Sequence, residues 1–158
     1  MENIAAIDVG MNNSAIAFWK DSKLVFFEVF EAKSVSQLSK NLKKYDQYFQ
    51  HVTHVFVEQQ MRINFRAVKI EAQVYMWLAI SFPKIVAKSF AARKKYMFID
   101  KVVYDTKYKR KKWAVKFAET IIPPDLLGTF LSLKKRDDVA DAILIGHNMM
   151  TIKNKKSI

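Results

Sequence analysis

A carboxylate stands inside the first apolar run of the chain. The stretch from Asn3 to Val9 reads Asn-Ile-Ala-Ala-Ile-Asp-Val and is closed by Gly10. A short continuous apolar run before a glycine predicts a buried strand. A charged side chain in such a strand is expensive to bury unless a cation or hydrogen bonds compensate it. An acid in the middle of Ile-Asp-Val therefore needs a reason.

The remaining pattern predicts one domain, 1–158, with no linker and no internal repeat. Residues 14–19 and 23–30 are short apolar and aromatic runs, and Asp21-Ser22 between them fits a hairpin turn. The first three strands are thus expected to be antiparallel neighbours. Ser34 and Gln37 fit a helix-starting capping box. Val35, Leu38, Leu42, Tyr45 and Phe49 then step by 3 and 4, as one helical face does. Val55-Phe56-Val57 predicts a fourth strand ending in Glu58-Gln59-Gln60. A second helix follows, with Phe65, Val68, Ala72, Tyr75, Ala79 and Phe82 as its apolar stripe and Pro83 as its stop. Ile85-Val86-Ala87 predicts a short fifth strand. The stretch from Ser89 to Arg110 has no readable period; it carries Arg93, Lys94, Lys95, Lys101, Lys107, Lys109 and Arg110. A third helix is expected from about Lys111 to Ile122, ended by Pro123-Pro124. A last helix is expected from near Asp137 to about Met150, with a loose basic tail from about residue 152. The order β-β-β-α-β-α-β-α-α predicts an α/β fold in which helices cover a mixed sheet.

Three more acids stand out by position. Glu58 ends an apolar strand, and Asp138 and Asp141 open the last helix three residues apart, on one face. Two carboxylates from one helix and one from each of two strands make an oxygen-rich pocket. Such ligands suit Mg²⁺ or Mn²⁺. A pair of these ions stabilises the attacking and leaving oxygens of a phosphodiester. The blander readings are a solvated strand end for Glu58 and helix caps for Asp137 and Asp138. Asp137 can be the cap while Asp138 is the ligand.

Composition narrows the partners. Lys plus Arg is 27 against 15 Asp plus Glu, a formal charge of +12, which favours a polyanion such as nucleic acid. Arg62, Arg66 and Lys69, just after Glu58, and Lys107, Lys109, Arg110 and Lys111 are candidate DNA contacts. Zero cysteines exclude a disulfide framework and a thiolate site. With 3 glycines, neither a dinucleotide-binding loop nor a phosphate-binding Walker loop can be written, so no nucleotide cofactor is expected. The apolar run from Val74 to Phe82 is too short for a membrane span. The N-terminus lacks a basic leader, so an intracellular soluble protein is expected. His147 lies off the Asp138/Asp141 face and reads as a packed or exposed histidine.

Ile7-Asp8-Val9-Gly10, Val57-Glu58-Gln59-Gln60 and Asp137-Asp138-Val139-Ala140-Asp141-Ala142 resemble, in order and spacing, the acidic motifs of RuvC-type Holliday-junction resolvases. These belong to the ribonuclease H-like superfamily. Arg110-Lys111-Lys112-Trp113-Ala114-Val115 and Leu133-Lys134-Lys135-Arg136 resemble the poxvirus branch. The resemblance implies a five-stranded mixed sheet with helices on both faces. It also implies a homodimer that cuts opposed strands of four-way DNA junctions symmetrically during viral replication or recombination. Asp8, Glu58, Asp138 and Asp141 would hold two Mg²⁺ ions, replaceable by Mn²⁺, with Asp8 between them. A lysine near the start of the third helix would assist, and Lys112 fits that pattern, with Lys109 and Lys111 as rivals. Trp77 and Met76 are candidate dimer contacts. A poxviral protein of this kind would work in the cytoplasm of the infected cell. The alternatives are a related nuclease acting on RNA–DNA hybrids or flaps, and a junction-binding protein without catalysis.

Overall fold

The computed structural model describes residues 3–97 and 105–156, so Lys101 lies outside the described residues. Strands β1 (Ile4–Asp8), β2 (Asn13–Lys20), β3 (Lys23–Glu31), β4 (His54–Gln59) and β5 (Val86–Ala91) form one sheet in the order β3-β2-β1-β4-β5. The first three strands are antiparallel neighbours, as expected. Asp21 and Ser22 join β2 to β3 with φ of 51° and 67°. Two successive positive φ values match the twist that a two-residue hairpin loop needs. Strand β4 runs parallel to β1, and β5 parallel to β4, which makes the sheet mixed.

Parallel neighbours need crossovers, and helices supply them. Helices α1 (Val35–Lys43) and α2 (Asp46–Phe49) link β3 to β4, and α3 (Phe65–Ser81) links β4 to β5. A 3-10 turn, Ala92–Lys94, follows β5; then come α4 (Lys107–Ile121), α5 (Pro124–Ser132) and α6 (Arg136–Lys156). Side chains alternate across the sheet. Ala5, Ile7, Val55 and Val57 face the α1–α3 side, whereas Ile4, Ala6, Phe56 and Phe90 face the α4–α6 side. The run from Val139 to Gly146 is buried without interruption, because α6 lies between the sheet and α4.

Several boundaries differ from the sequence reading. The predicted α1 face holds for Leu38, Leu42, Tyr45 and Phe49, but the helix breaks between α1 and α2 and Val35 is exposed. Helix α3 buries Ala67, Ile70, Val74 and Leu78, not the stripe beginning at Phe65. That stripe is only one of two apolar faces, and the sheet selects the other. Helix α4 begins at Lys107, where the Thr106 hydroxyl accepts a bond from the Lys109 N–H at 3.2 Å. Pro123-Pro124 ends α4 and also starts α5, with Pro124 in the first turn, where its missing N–H costs nothing. Helix α6 continues through the residues expected as a loose tail, to Lys156.

Helix α6 lies tight against the sheet at Gly146. A Cβ there would stand 2.1 Å from the Trp19 ring, whose side chain is buried. Gly146→Ala is expected to lower the melting temperature, since overpacking costs about 1–3 kcal/mol and exceeds the helix-propensity gain of about 1 kcal/mol. Gly128→Ala, in α5 with nothing within 4 Å of the new methyl, is expected to raise it. Thermal melts of the two variants check both directions.

Candidate active site

Topology brings the acids together. In the β1–β4 register Ile7 pairs with Val57, so Asp8 and Glu58 end adjacent parallel strands at the same level. By alternation both side chains point to the α6 side of the sheet. Carboxyl ends of parallel strands are where open α/β sheets place their ligand crevices. The chain can turn sharply after Asp8 because Gly10 has no side chain: a Cβ there would lie 2.0 Å from the Asn13 carbonyl oxygen. From the opposite side, Asp141 projects out of the buried stretch of α6.

The group that joins these acids is Lys95, just beyond the 3-10 turn that continues β5. Its Nζ lies 3.0 Å from Asp8 Oδ1, 2.7 Å from Glu58 Oε1 and 2.8 Å from Asp141 Oδ2. All four residues are less than one-tenth exposed: Asp8 9%, Glu58 8%, Lys95 6% and Asp141 6%. The Tyr96 hydroxyl donates to the other Asp141 oxygen at 3.0 Å, and the Gln60 amide donates to Glu58 Oε2 at 3.1 Å. Asn148, two turns beyond Asp141 on α6, donates from Nδ2 to the carbonyls of Lys94 and Lys95, both at 3.0 Å. The turn bearing Lys95 is thus tied to the helix bearing Asp141.

Asp138 lies one turn before Asp141, less buried than the other three acids. Its Oδ1 is 3.9 Å from Lys111 Nζ, which also forms a close ion pair with Asp137. Asp8, Glu58, Asp138, Asp141 and Lys95 line a cavity of about 500 Å³ together with Lys107, Arg110 and Lys111. Of the lysines expected at the helix start, Lys111 is therefore the one at the cavity. Lys112 lies elsewhere, beside Lys116, Lys134 and Arg136. One residue along a helix turns a side chain by about 100°, which carries Lys112 off the Lys111 face. Lys109 pairs with Asp105 at 3.0 Å on the outside of α4. Arg62, Arg66 and Lys69 are exposed; the cavity wall between Glu58 and α3 is made instead by Gln59, Gln60, Met61 and Asn64. His147 is half-buried and packs edge-on against Phe117, with ring centroids 5.3 Å apart. Trp77 packs on Phe49 and Phe82 within the chain, while Met76 is exposed.

The sequence pattern does not mark Lys95, Tyr96 or Asn148 as site residues, and Gln60 stands out only as part of the Val57-Glu58-Gln59-Gln60 stretch. Their signal was positional. The pattern predicts a short strand over Ile85-Val86-Ala87, whereas β5 runs to Ala91, so Lys95 emerges at the same sheet edge as Asp8 and Glu58.

The donor chemistry fits a hard divalent cation. Three carboxylates from three elements already surround one positive centre, and a fourth stands beside them. Among the described residues no acidic or histidine group has the spacing of a closed metal cage. The oxygens stand instead at N–H···O distances set by the ammonium, longer than the roughly 2.0–2.1 Å that Mg²⁺ takes. Electrostatics agree with a crowded acidic cluster. Burial, with Glu58 adding to it and Lys95 opposing it, pushes the Asp8 carboxyl up to about 8. Burial and the charges of Asp137 and Asp8 push Asp138 up to about 6. Burial also raises Asp141, against the pull of Lys95. For Lys95, burial acts downward, but the charges of Asp8, Asp141 and Glu58 outweigh it and hold the amine well above its usual range.

No family model matches the chain. Uncharacterized protein 97L of Invertebrate iridescent virus 3 is 28% identical over 107 residues, 68% of this chain and 52% of that protein. The chain thus spans about half the length of this curated relative, which is iridoviral rather than poxviral. Among solved structures, RuvC of Thermus thermophilus superposes with a TM-score of 0.66, at 14% identity over 98% of this chain and 96% of that one. The same protein solved in complex with a Holliday junction substrate gives a TM-score of 0.65 with the same coverage. The fold is therefore the mixed-sheet α/β architecture of RuvC, as the sequence motifs implied. Among the described residues no helix is long and apolar enough to cross a membrane.

The pKa shifts set a pH dependence. A carboxyl held at about 8 when folded and near 3.8 when unfolded keeps its proton better in the folded state. The stability it contributes is present in full below about pH 4 and is lost as pH rises toward 8. His147, depressed by burial, works in the opposite direction at mildly acid pH. The informative measurement is therefore a comparison: between pH 5 and 8, metal-free wild type should lose more stability than Asp8→Asn. Equal pH profiles in denaturant melts would contradict the assigned shift.

Proposed function

We propose that this chain is a metal-dependent, structure-selective DNA endonuclease that resolves four-way junctions by paired cleavage of opposed strands. The observation that carries the reading is the convergence of Asp8, Glu58 and Asp141 on one cation position, with Asp138 beside it and Lys107, Arg110 and Lys111 lining the same cavity. A carboxylate cage alone repels DNA, and a basic face alone has no use for buried acids. Together they suit hydrolysis of a phosphodiester. The superposition on RuvC, which has been solved on a Holliday junction substrate, supports four-way DNA as the substrate. The iridoviral relative is in keeping with a viral setting.

Asp8, Glu58, Asp138 and Asp141 would hold two Mg²⁺ or Mn²⁺ ions. When bound, such ions supply charge neutralisation for the attacking and leaving oxygens and a more acidic water. The protein's own contributions are orientation and charge. Tyr96 fixes one oxygen of Asp141, and Gln60 fixes one oxygen of Glu58, leaving the other oxygen of each turned toward the shared position. Lys111, next to Asp138, places a positive charge where a scissile phosphate would enter, and Lys107 and Arg110 extend it along α4. Arg62, Arg66 and Lys69 flank the other wall as further phosphate contacts, with Lys109 on the outer face of α4. Contacts of this kind read backbone geometry rather than bases.

A homodimer belongs to this reading. Helix α3 carries a second, exposed apolar stripe on which Phe65, Met76 and Ile80 are 76%, 59% and 75% exposed. Helical spacing places these three on one side, away from the face packed on the sheet. Met76→Glu with Ile80→Glu is expected to shift the mass in light scattering from two copies to one, and a wild-type monomer would refute the dimer.

Cleavage of a labelled four-way junction tests the activity, beside duplex, flap and RNA–DNA hybrid controls. Symmetric cuts that require Mg²⁺ are expected, whereas cutting of hybrid alone would transfer the assignment to a related nuclease. Asp8→Asn and Asp138→Asn should each lower cleavage by at least about 100-fold while keeping or improving junction binding. Retained cleavage in both would refute the site. Lys111→Met should cost more activity than Lys112→Met. Junction affinity should fall with salt, at about −0.9 in log–log slope per duplex phosphate neutralised.

A further inference from the structure

We infer that Lys95 is a tethered counter-cation: its ammonium occupies the first divalent-cation position of the metal-free protein and must withdraw before a metal can bind there. The inference rests on the metal site proposed above and adds a competitor to it.

Geometry argues for competition. A single nitrogen sits within 3.0 Å of oxygens from all three of Asp8, Glu58 and Asp141. An ion shared by those oxygens would occupy the same point, and two cations cannot share it. Lys95 is not a surface lysine that has drifted inward, because its backbone is anchored. Asn148, buried at 0% exposure, spends both N–H groups of its amide on the carbonyls of Lys94 and Lys95. The neighbouring Tyr96 bonds to Asp141. The turn is thus held while the four-carbon stem beyond it keeps its rotatable bonds. The stem also has somewhere to go, because Lys95 borders the open cavity of about 500 Å³. Withdrawal is a side-chain rotation on a fixed turn and needs no refolding.

The arrangement has two consequences. Without metal, the ammonium offsets the negative charge that the three buried carboxyl groups share and keeps them gathered around a common centre. With metal, that attraction must first be given up, so apparent divalent affinity is weaker than the four acids alone would give. A cation that costs binding when present is expected to improve binding when removed.

Lys95→Met and Lys95→Gln test this, with Mn²⁺ titrated by calorimetry at fixed ionic strength. Both variants are expected to bind Mn²⁺ more tightly than wild type by about tenfold, one decade in Kd. Their metal-free melting temperatures are expected to fall, with Mn²⁺ restoring more stability than it adds to wild type. A second measurement uses the unaltered protein and stands even if neither variant folds. Acetylation of Lys95, read by peptide mass spectrometry, should be slow in EDTA and several-fold faster in saturating Mg²⁺ or Mn²⁺. Wild type that binds Mn²⁺ with Lys95 equally protected, or variants that bind it no more tightly, would overturn the counter-cation role and leave the metal site intact. Absence of divalent binding in wild type and variants alike would overturn the site itself, and this inference with it.

Discussion

Three buried carboxylates around one ammonium set the terms for the rest of the molecule. Like charges at this separation are unfavourable, and removal from water makes each of them more so. Lys95 is the compensation, and removing one partner of such a buried group costs about 3–5 kcal/mol in comparable systems. The order of the sheet meets that demand. Parallel pairing of β1 with β4 and of β4 with β5 brings Asp8, Glu58 and the turn bearing Lys95 to one edge. An antiparallel neighbour in place of β4 would send Glu58 to the far end of the strand.

The other half of the cluster depends on how closely α6 lies on the sheet. Ala6, Ala15 and Ala17 on the strands, and Ala140, Ala142 and Gly146 on the helix, keep that interface thin. Bulk at these positions would lift Asp141 away from Asp8 and Glu58. The site is therefore carried on strand ends and a buried helix, elements whose relative positions a packed core fixes. The side chains that touch the acids without sharing their charge, Tyr96, Gln60 and Asn148, finish the positioning through hydrogen bonds.

Surplus positive charge is sorted by helical geometry. On α4, Lys107, Arg110 and Lys111 fall on one side, while Lys109, Lys112 and Lys116 fall on another, as 3.6 residues per turn requires. Only the first set borders the acidic cavity. A net charge of +12 favours attraction of a polyanion in general but singles out no surface for it. The rotation of one helix decides which cations face the carboxylates.

Much of this is legible in the residues alone. An acid inside Ile-Asp-Val, a second at the end of Val-Phe-Val and a pair three apart at a helix start named all four carboxylates, and alternating and 3–4 spacings placed most strands and helices. Local rules suffice there, because burial periodicity and caps act over a few residues. Tertiary structure alone decided which apolar face of α3 is buried, since both faces satisfy the helical period and only the sheet discriminates. It placed Lys111 rather than Lys112 at the cavity, because the start of α4 at Lys107 rests on one threonine cap. It also set Lys95, one cation among several in a stretch without period, among the three carboxylates. Its partners lie 87, 37 and 46 residues away along the chain, and a pairing over such distances exists only once the strands and α6 have met.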